Sequence, residues 1–231
     1  MEIKSKYVKA FLAATLITLL PGKEALANNL VRNGDFETVD YIGNYTTYNS
    51  QTVPDEFGWS ISDDFVYLVN SVWSGVSGTT NPDGFDQSVE LRPNAILSQT
   101  FATQVGQEYE LSFWYAHDPE NQQGYAKGSV NLQGNNLLLS NTLLHDIPPS
   151  FADLNFLEYT AQFTADSNAT TVSFQGNPLN GLHGFVIDDI SVVEVSEPVS
   201  ETVPEPVMEF ALLIFGALGI AFLRQRKPTL R

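Results

Sequence analysis

The hydrophobic pattern changes period along this 231-residue chain. Residues 10–20 (AFLAATLITLL) form a solid apolar run. From about Asn28 to Val195 the period is two. Tyr109, Leu111, Phe113 and Tyr115 share one face, and Ser112, Trp114 and Ala116 take the other. Val66 and Leu68 alternate with Phe65, Tyr67 and Val69; Leu97 and Phe101 flank Gln99 on one face; the pairs Val130/Leu132, Leu137/Leu139 and Val172/Phe174 repeat the spacing. Successive side chains of a strand point to opposite faces, so this alternation predicts half-buried strands. No segment in this region shows the period of an amphipathic helix. Turn-forming clusters separate the runs: Asn81-Pro82-Asp83-Gly84, Gly134-Asn135-Asn136, Pro148-Pro149 and Gly176-Asn177-Pro178. Many short strands punctuated this way predict an all-β, jelly-roll β-sandwich. Beyond it, residues 207–223 (VMEFALLIFGALGIAFL) return to an almost unbroken apolar run.

The two apolar runs delimit the domain. Lys4, Lys6 and Lys9 precede the first, Pro21 breaks it, and Ala25-Leu26-Ala27 supplies small residues at Ala25 and Ala27 for cleavage. Residues 1–27 therefore read as a secretory signal peptide. The second run is 17 residues, at the short end of a helical membrane span. Its Glu209 lies in the first turn, where a carboxylate can reach the interface. Arg224, Arg226 and Lys227 follow and place residues 224–231 on the cytoplasmic side. Residues 196–206 form an acidic, proline-bearing linker ending in Val203-Pro204-Glu205-Pro206. That motif, the span and the terminal basic cluster together resemble the PEP-CTERM sorting signal of Gram-negative bacteria. The resemblance implies handling by an exosortase-type membrane enzyme, transient membrane anchoring, and delivery to the cell surface or extracellular matrix. An ordinary single-pass anchor is the alternative.

Charge narrows the partners of the domain at 28–195. Between Asn28 and Pro204 only Arg32, Arg92 and Lys127 stand against 23 carboxylates, a balance of −20. Nucleic acid needs a positive surface and is excluded. There is no cysteine, so the domain stands on its core without disulfides, and thiol chemistry is excluded. His117, His145 and His183 are far apart in sequence and form no zinc motif.

The ends of the domain carry the clearest local signals. Asn29-Leu30-Val31 reads as a short strand, followed by an Asn33-Gly34 turn and by Asp35 and Glu37 around Phe36. At the other end, Phe185 and Ile187 lie on odd positions but Ile190 and Val192 on even ones. One extra residue at Asp188-Asp189 restores the register, which predicts a bulge there. If the first and last strands are neighbours, Glu37 and Asp188-Asp189 converge on one cation; otherwise they are surface-turn carboxylates bonded to backbone. The opening NLVRNGDFE, the central SVELRPNAILSQTFATQVGQEYELSFWYA and the closing GFVIDDISVVEV resemble the galactose-binding-domain-like jelly rolls. Among these the sequence is most similar to the domain of unknown function 642 and to carbohydrate-binding modules. The resemblance implies non-catalytic glycan binding and a structural Ca²⁺ held near Asp35, Glu37, Asp188 and Asp189. Segments 40–53 and 72–85 look elongated and are expected as loops at one end of the sandwich.

Glycan binding needs exposed rings for the sugar C–H face and amides or carboxylates for its hydroxyls. Trp59, Trp73, Trp114 and Tyr115 are the leading candidates, with Tyr67, Tyr125, Asp118, Asn121 and Gln122 behind them. Trp73 is expected to be the most exposed, and core packing is the competing reading for each ring. No Gly-x-Ser-x-Gly elbow is present, and an acidic chain contains carboxylate pairs by chance. The expectation is a binding protein for extracellular polysaccharide, not an enzyme. A purely structural surface or biofilm protein is the alternative, with a glycoside hydrolase behind it.

Overall fold

The period-two runs fold as strands: β1 (Tyr45–Tyr48), β2 (Ser60–Ser62), β3 (Val66–Val69), β4 (Ser88–Leu91), β5 (Ile96–Ala102), β6 (Glu108–His117), β7 (Ala126–Gln133), β8 (Leu137–His145), β9 (Leu157–Thr164), β10 (Ala169–Gly176) and β11 (Phe185–Glu194). The structure, a computed structural model, describes residues 28–195 except 40, 74, 77–85 and 182. The expected signal peptide, linker, Val203–Pro206 motif, apolar run and basic tail lie outside the described residues. Among the described residues no helix is long and apolar enough to cross a membrane.

The strands form two antiparallel sheets, one of order β1-β3-β4-β11-β6-β9 and one of order β2-β5-β10-β7-β8. Their inner faces are the residues that the alternation predicts. Leu97, Gln99 and Phe101 of β5, Tyr109 to Tyr115 at odd positions of β6, Val130 and Leu132 of β7, and Val172 and Phe174 of β10 are buried together. Phe113 meets Phe174 across the sheets edge to face, with centroids 4.9 Å apart. Burying such a ring contributes about 1.5–3 kcal/mol. Gln99 is polar but fully used. Its Oε1 accepts from Arg32 N at 2.7 Å, and its Nε2 donates to Arg32 O at 2.9 Å and Gly58 O at 3.0 Å. It fastens the N-terminal segment to β5.

The six-stranded sheet is covered on its outer face as well. Val69, Trp73, Ala116, Leu154 and Val186 form a second, smaller apolar cluster there. Every residue of β4 is therefore buried. The segments around Trp73 and Leu154 cover only part of this face, and the uncovered part becomes a groove.

Three expectations need correction. Segment 40–53 is not only loop, because Tyr45–Tyr48 pairs with β3 as an edge strand. Asn29–Val31 is a bent segment instead of a strand, although Leu30 N donates to Val192 O at 2.8 Å. Leu137 does not share a buried face with Leu139: the β7–β8 register shifts between Leu132 and Gln133, and Leu137 is exposed. The bulge is where the phase change puts it, with the β11–β6 register shifting between Asp188 and Ser191.

Candidate functional site

Two clusters of polar side chains stand out, one at the bulge and one in the outer groove. The bulge cluster is built by the N-terminal segment crossing β11. Asn29 Nδ2 donates to Ile190 O at 3.0 Å, its Oδ1 accepts from Val192 N at 3.0 Å, and Ile190 N donates to Gly34 O at 2.9 Å. A Cβ on Gly34 would stand 1.9 Å from Ile190 O, so only glycine allows this crossing. Phe36 and Asp189 take left-handed backbone, φ 59° and 48°. Such conformations are costly for these residues and persist where packing enforces them. Phe36 is enforced by burial against Phe57, 5.9 Å between centroids.

These turns bring together Asp35, Glu37, Asp188 and Asp189, and Asp86 joins them. Glu37 Oε1 accepts from Gln87 N, while Glu37 Oε2 and Asp86 Oδ2 are buried without a partner. Asp188 is wholly buried; its Oδ2 accepts from Val76 N at 2.9 Å and its Oδ1 from Asp189 N at 2.7 Å. Burial, aided by the charges of Asp86 and Asp35, pushes Glu37 up to about 8. Burial pushes Asp86 to about 6, with Asp189 and Asp35 adding to the rise; it raises Asp188 well above its ordinary value and raises Asp189 as well. No ion pair reaches this cluster among the described residues. Crowded carboxylates with orphaned oxygens fit a hard, oxygen-liking cation.

The groove, about 290 Å³, opens on the outer face of the six-stranded sheet. Register places Tyr67 of β3 beside Glu90 of β4 and Tyr45 of β1 beside Val69. Asp118 and Glu120 follow β6, His183 precedes β11, and Phe151 comes from the β8–β9 connection. One end is aromatic. Tyr45, 51% exposed, packs edge to face on Tyr67 at 5.0 Å, and Tyr67 packs likewise on Phe65 at 5.3 Å. The Arg92 guanidinium lies 5.6 Å from the Tyr67 ring centre, and its Nε is buried without a partner. The other end is polar. Glu90 Oε1 accepts from Gly184 N at 2.6 Å. Asp118 Oδ1 accepts from Glu120 N at 2.7 Å, and Asp118 Oδ2 lies 2.7 Å from His183 Nδ1. Burial and the Asp118 charge raise Glu90 to about 7, against the Gly184 N–H, Arg92 and His183.

The rings singled out from the sequence do not meet in one platform. Trp59 is buried in the main core, and its Nε1 donates to Asn33 O at 2.9 Å. Tyr115 is buried there too, stacked on Phe185. Trp114 is half-buried and lines a separate cleft with Asp35 and Asp189. Trp73 is 6% exposed, not the most exposed ring; its Nε1 donates to Ser88 Oγ at 2.9 Å, and it lines the groove. Asn121 is occupied internally, its Nδ2 donating to Tyr125 O and His183 O. Tyr67 and Asp118 do line the groove. Tyr45, Glu90, Arg92, Glu120, Phe151 and His183 were not legible as site residues. Glu90 sits between core residues Val89 and Leu91 and reads as an ordinary outward-facing strand residue until Trp73 folds over that face.

Comparison with known proteins gives a family. A family model described as "Protein of unknown function (DUF642)" matches residues 29–193. Halomucin of Haloquadratum walsbyi is 30% identical over 181 residues, 76% of this chain. The matched stretch spans only 2% of halomucin's length. Among solved structures, TmCBM61 in complex with β-1,4-galactotriose is similar over 73% of this chain and 100% of that one, at 15% identity and TM-score 0.38. The CBM22-1 xylan-binding domain from Paenibacillus barcinonensis is similar over 66% of this chain and 95% of its own, at 10% identity and TM-score 0.42. Arabinose-bound MgGH51 α-L-arabinofuranosidase is similar over 76% of this chain and 28% of its own, at 14% identity and TM-score 0.48.

Proposed function

This chain belongs to the DUF642 family, and from that premise we propose that it is a secreted surface protein whose β-sandwich binds polysaccharide without catalysis. The observation that carries the reading is the groove with an exposed aromatic end and a polar end. A pyranose presents apolar C–H faces and a rim of hydroxyls. Tyr45, Tyr67 and Phe151, the last 48% exposed, offer surfaces for the former. Glu90, Asp118, Glu120 and Asn44 offer acceptors for the latter. At about 290 Å³ the groove is at the small end of ligand clefts and suits a short stretch of polymer. The negative charge of its polar end favours neutral sugars over acidic ones.

Catalysis is less well supported. Hydrolysis with retention requires a free carboxylate nucleophile about 5–5.5 Å from an acid. Glu90 has the raised affinity for a proton that an acid needs, but both Asp118 oxygens are engaged, by Glu120 N and His183. Affinity electrophoresis of the purified protein through gels cast with xylan, galactan, β-glucan and the host's own matrix polysaccharide tests the reading. Retardation without release of reducing ends supports it. Migration unaffected by every polymer leaves the purely structural surface protein, and reducing ends would mean a hydrolase.

At the bulge, Asp35, Glu37, Asp86, Asp188 and Asp189 would hold a Ca²⁺ ion. The ion supplies positive charge where the chain packs carboxylates together, and so fastens the N-terminal segment to β11. The remaining parts of the reading rest on sequence: export by residues 1–27, then exosortase-dependent sorting and membrane anchoring by residues 203–231, to the surface or matrix of a Gram-negative bacterium. Mass spectrometry of the mature protein tests both ends. A start near Asn28 and an end near Pro204–Pro206 are expected, and an intact C-terminus would make the tail a permanent anchor.

A further inference from the structure

We propose that the polar end of the groove is a second cation site, distinct from the bulge cluster, in which Glu90, Asp118 and His183 hold a divalent ion of the zinc or cobalt type. A carboxylate oxygen from each acid and an imidazole nitrogen all lie within 4.8 Å of one another. They come from three places in the fold: β4, the turn after β6 and the approach to β11. Two features separate this set from a chance surface cluster. Glu90 is 3% exposed, yet only one of its oxygens has a hydrogen-bond donor among the described residues, Gly184 N. The other is left for the groove. A charged carboxylate so far out of water is costly with a single donor, and a metal ion at the groove side lowers that cost. The ligands are also held from behind. Asp118 Oδ1 is fixed by Glu120 N, and Glu90 Oε1 by Gly184 N. Outer-shell bonds of this kind orient metal ligands. Gly184 packs so tightly that a Cβ would stand 1.9 Å from Leu91 O.

Donor chemistry selects the ion. The bulge offers oxygen only, which suits Ca²⁺. The groove adds an imidazole, which suits zinc and its neighbours. Three protein ligands leave the coordination sphere open toward the groove, the arrangement of a site that also takes an external ligand. His183 Nδ1 donates a hydrogen bond to Asp118 Oδ2 at 2.7 Å. An ion seated among the three residues replaces this bond, and vicinal hydroxyls of a sugar can complete its sphere. That last role rests on the polysaccharide reading; the presence of the ion does not.

The test is a Co²⁺ titration of the purified protein in millimolar Ca²⁺, which keeps the bulge cluster filled. One equivalent of Co²⁺ should bind, with a visible d–d band and quenching of Trp73 at the groove wall. His183→Ala and Glu90→Gln should each weaken binding at least 10-fold, whereas Glu37→Gln should leave it unchanged. His183 is partly exposed, so its removal spares the core. No Co²⁺ binding in excess Ca²⁺, or binding equal in His183→Ala and wild type, overturns the proposal. Gel retardation with and without Co²⁺ separates the two readings. Co²⁺ binding without retardation leaves the cation site standing and removes the polysaccharide; retardation without Co²⁺ binding does the reverse.

Discussion

Glu90 is a carboxylate set between two core residues, almost wholly out of water, at the wall of the groove that Trp73 also lines. Its position costs the fold free energy, because a charged group there is desolvated and only partly compensated. Binding sites commonly carry such a cost. Glu90→Gln keeps the acceptor for Gly184 N and removes the charge. In chelator at neutral pH it should therefore stabilise the protein by on the order of 1–2 kcal/mol while weakening polysaccharide binding. A thermal melt checks the first half, and a lowered midpoint would contradict it. The residues that the sequence revealed and those it hid differ in one respect. Phe113, Leu132 and Phe174 are legible because burial follows strand alternation, a local rule. Asp118 stands among the sequence candidates, but its meeting with Glu90 and His183 comes only through contacts far apart in sequence, and these types are common on any acidic surface. Asp35, Glu37, Asp188 and Asp189 were legible because two local signals, an Asn-Gly turn and a phase shift, mark where the backbone departs from regular strand.

At the scale of elements, the two sheets are joined not only by apolar packing. His117 at the end of β6 and His145 at the end of β8 are buried with their Nδ1 atoms 2.6 Å apart. His145 Nε2 lies 2.9 Å from Asn155 O. A carbonyl only accepts, so His145 carries a proton on Nε2. Only one proton fits between the two Nδ1 atoms, so the two rings cannot both be charged. Burial lowers both, His117 to about 4, although the carboxylates of Asp118 and Asp146 work the other way. Groups lowered on folding add stability that is complete above about pH 6.5 and is lost as pH falls toward about 4, because the unfolded chain takes up the protons first. The raised carboxylates of the bulge and Glu90 pull the other way, so the pair is read as a difference between proteins. As pH falls across that window, urea stability should change less favourably in wild type than in His145→Gln; equal slopes would show that the pair does not contribute. Sequence spacing gave no sign of this pair, since 28 residues and a sheet-to-sheet crossing separate the two rings. Strand β1 was missed for a related reason. Its Tyr-Thr-Thr-Tyr lies among Asn and Gly residues that read as loop, and only pairing with β3 makes it a strand. That strand carries Tyr45, so the missed element and the missed site are one error.

At the scale of the whole molecule, a domain with a charge of −18 over residues 28–195 and no disulfide concentrates its repulsion at two places, the bulge and the groove. Ca²⁺ should relieve the first. A ligand that binds only the native state at 100 times its Kd adds about 2.7 kcal/mol. For a domain of this size that is roughly 5–10 °C in Tm. The midpoint should rise with Ca²⁺, fall with chelator, and cease to respond in Glu37→Gln; a midpoint indifferent to chelator would remove the ion from the bulge. The groove is where the molecule faces its partner, and Tyr67 is at its aromatic end, outside the main core. Calorimetric titration of the purified protein with the polysaccharide that retards it most, wild type against Tyr67→Ala, tests the central claim most directly. Loss of a stacked ring should weaken binding about 10-fold or more in a protein that still melts cooperatively, at a lower Tm. Equal affinity in the two proteins would mean that the groove is not where polysaccharide binds.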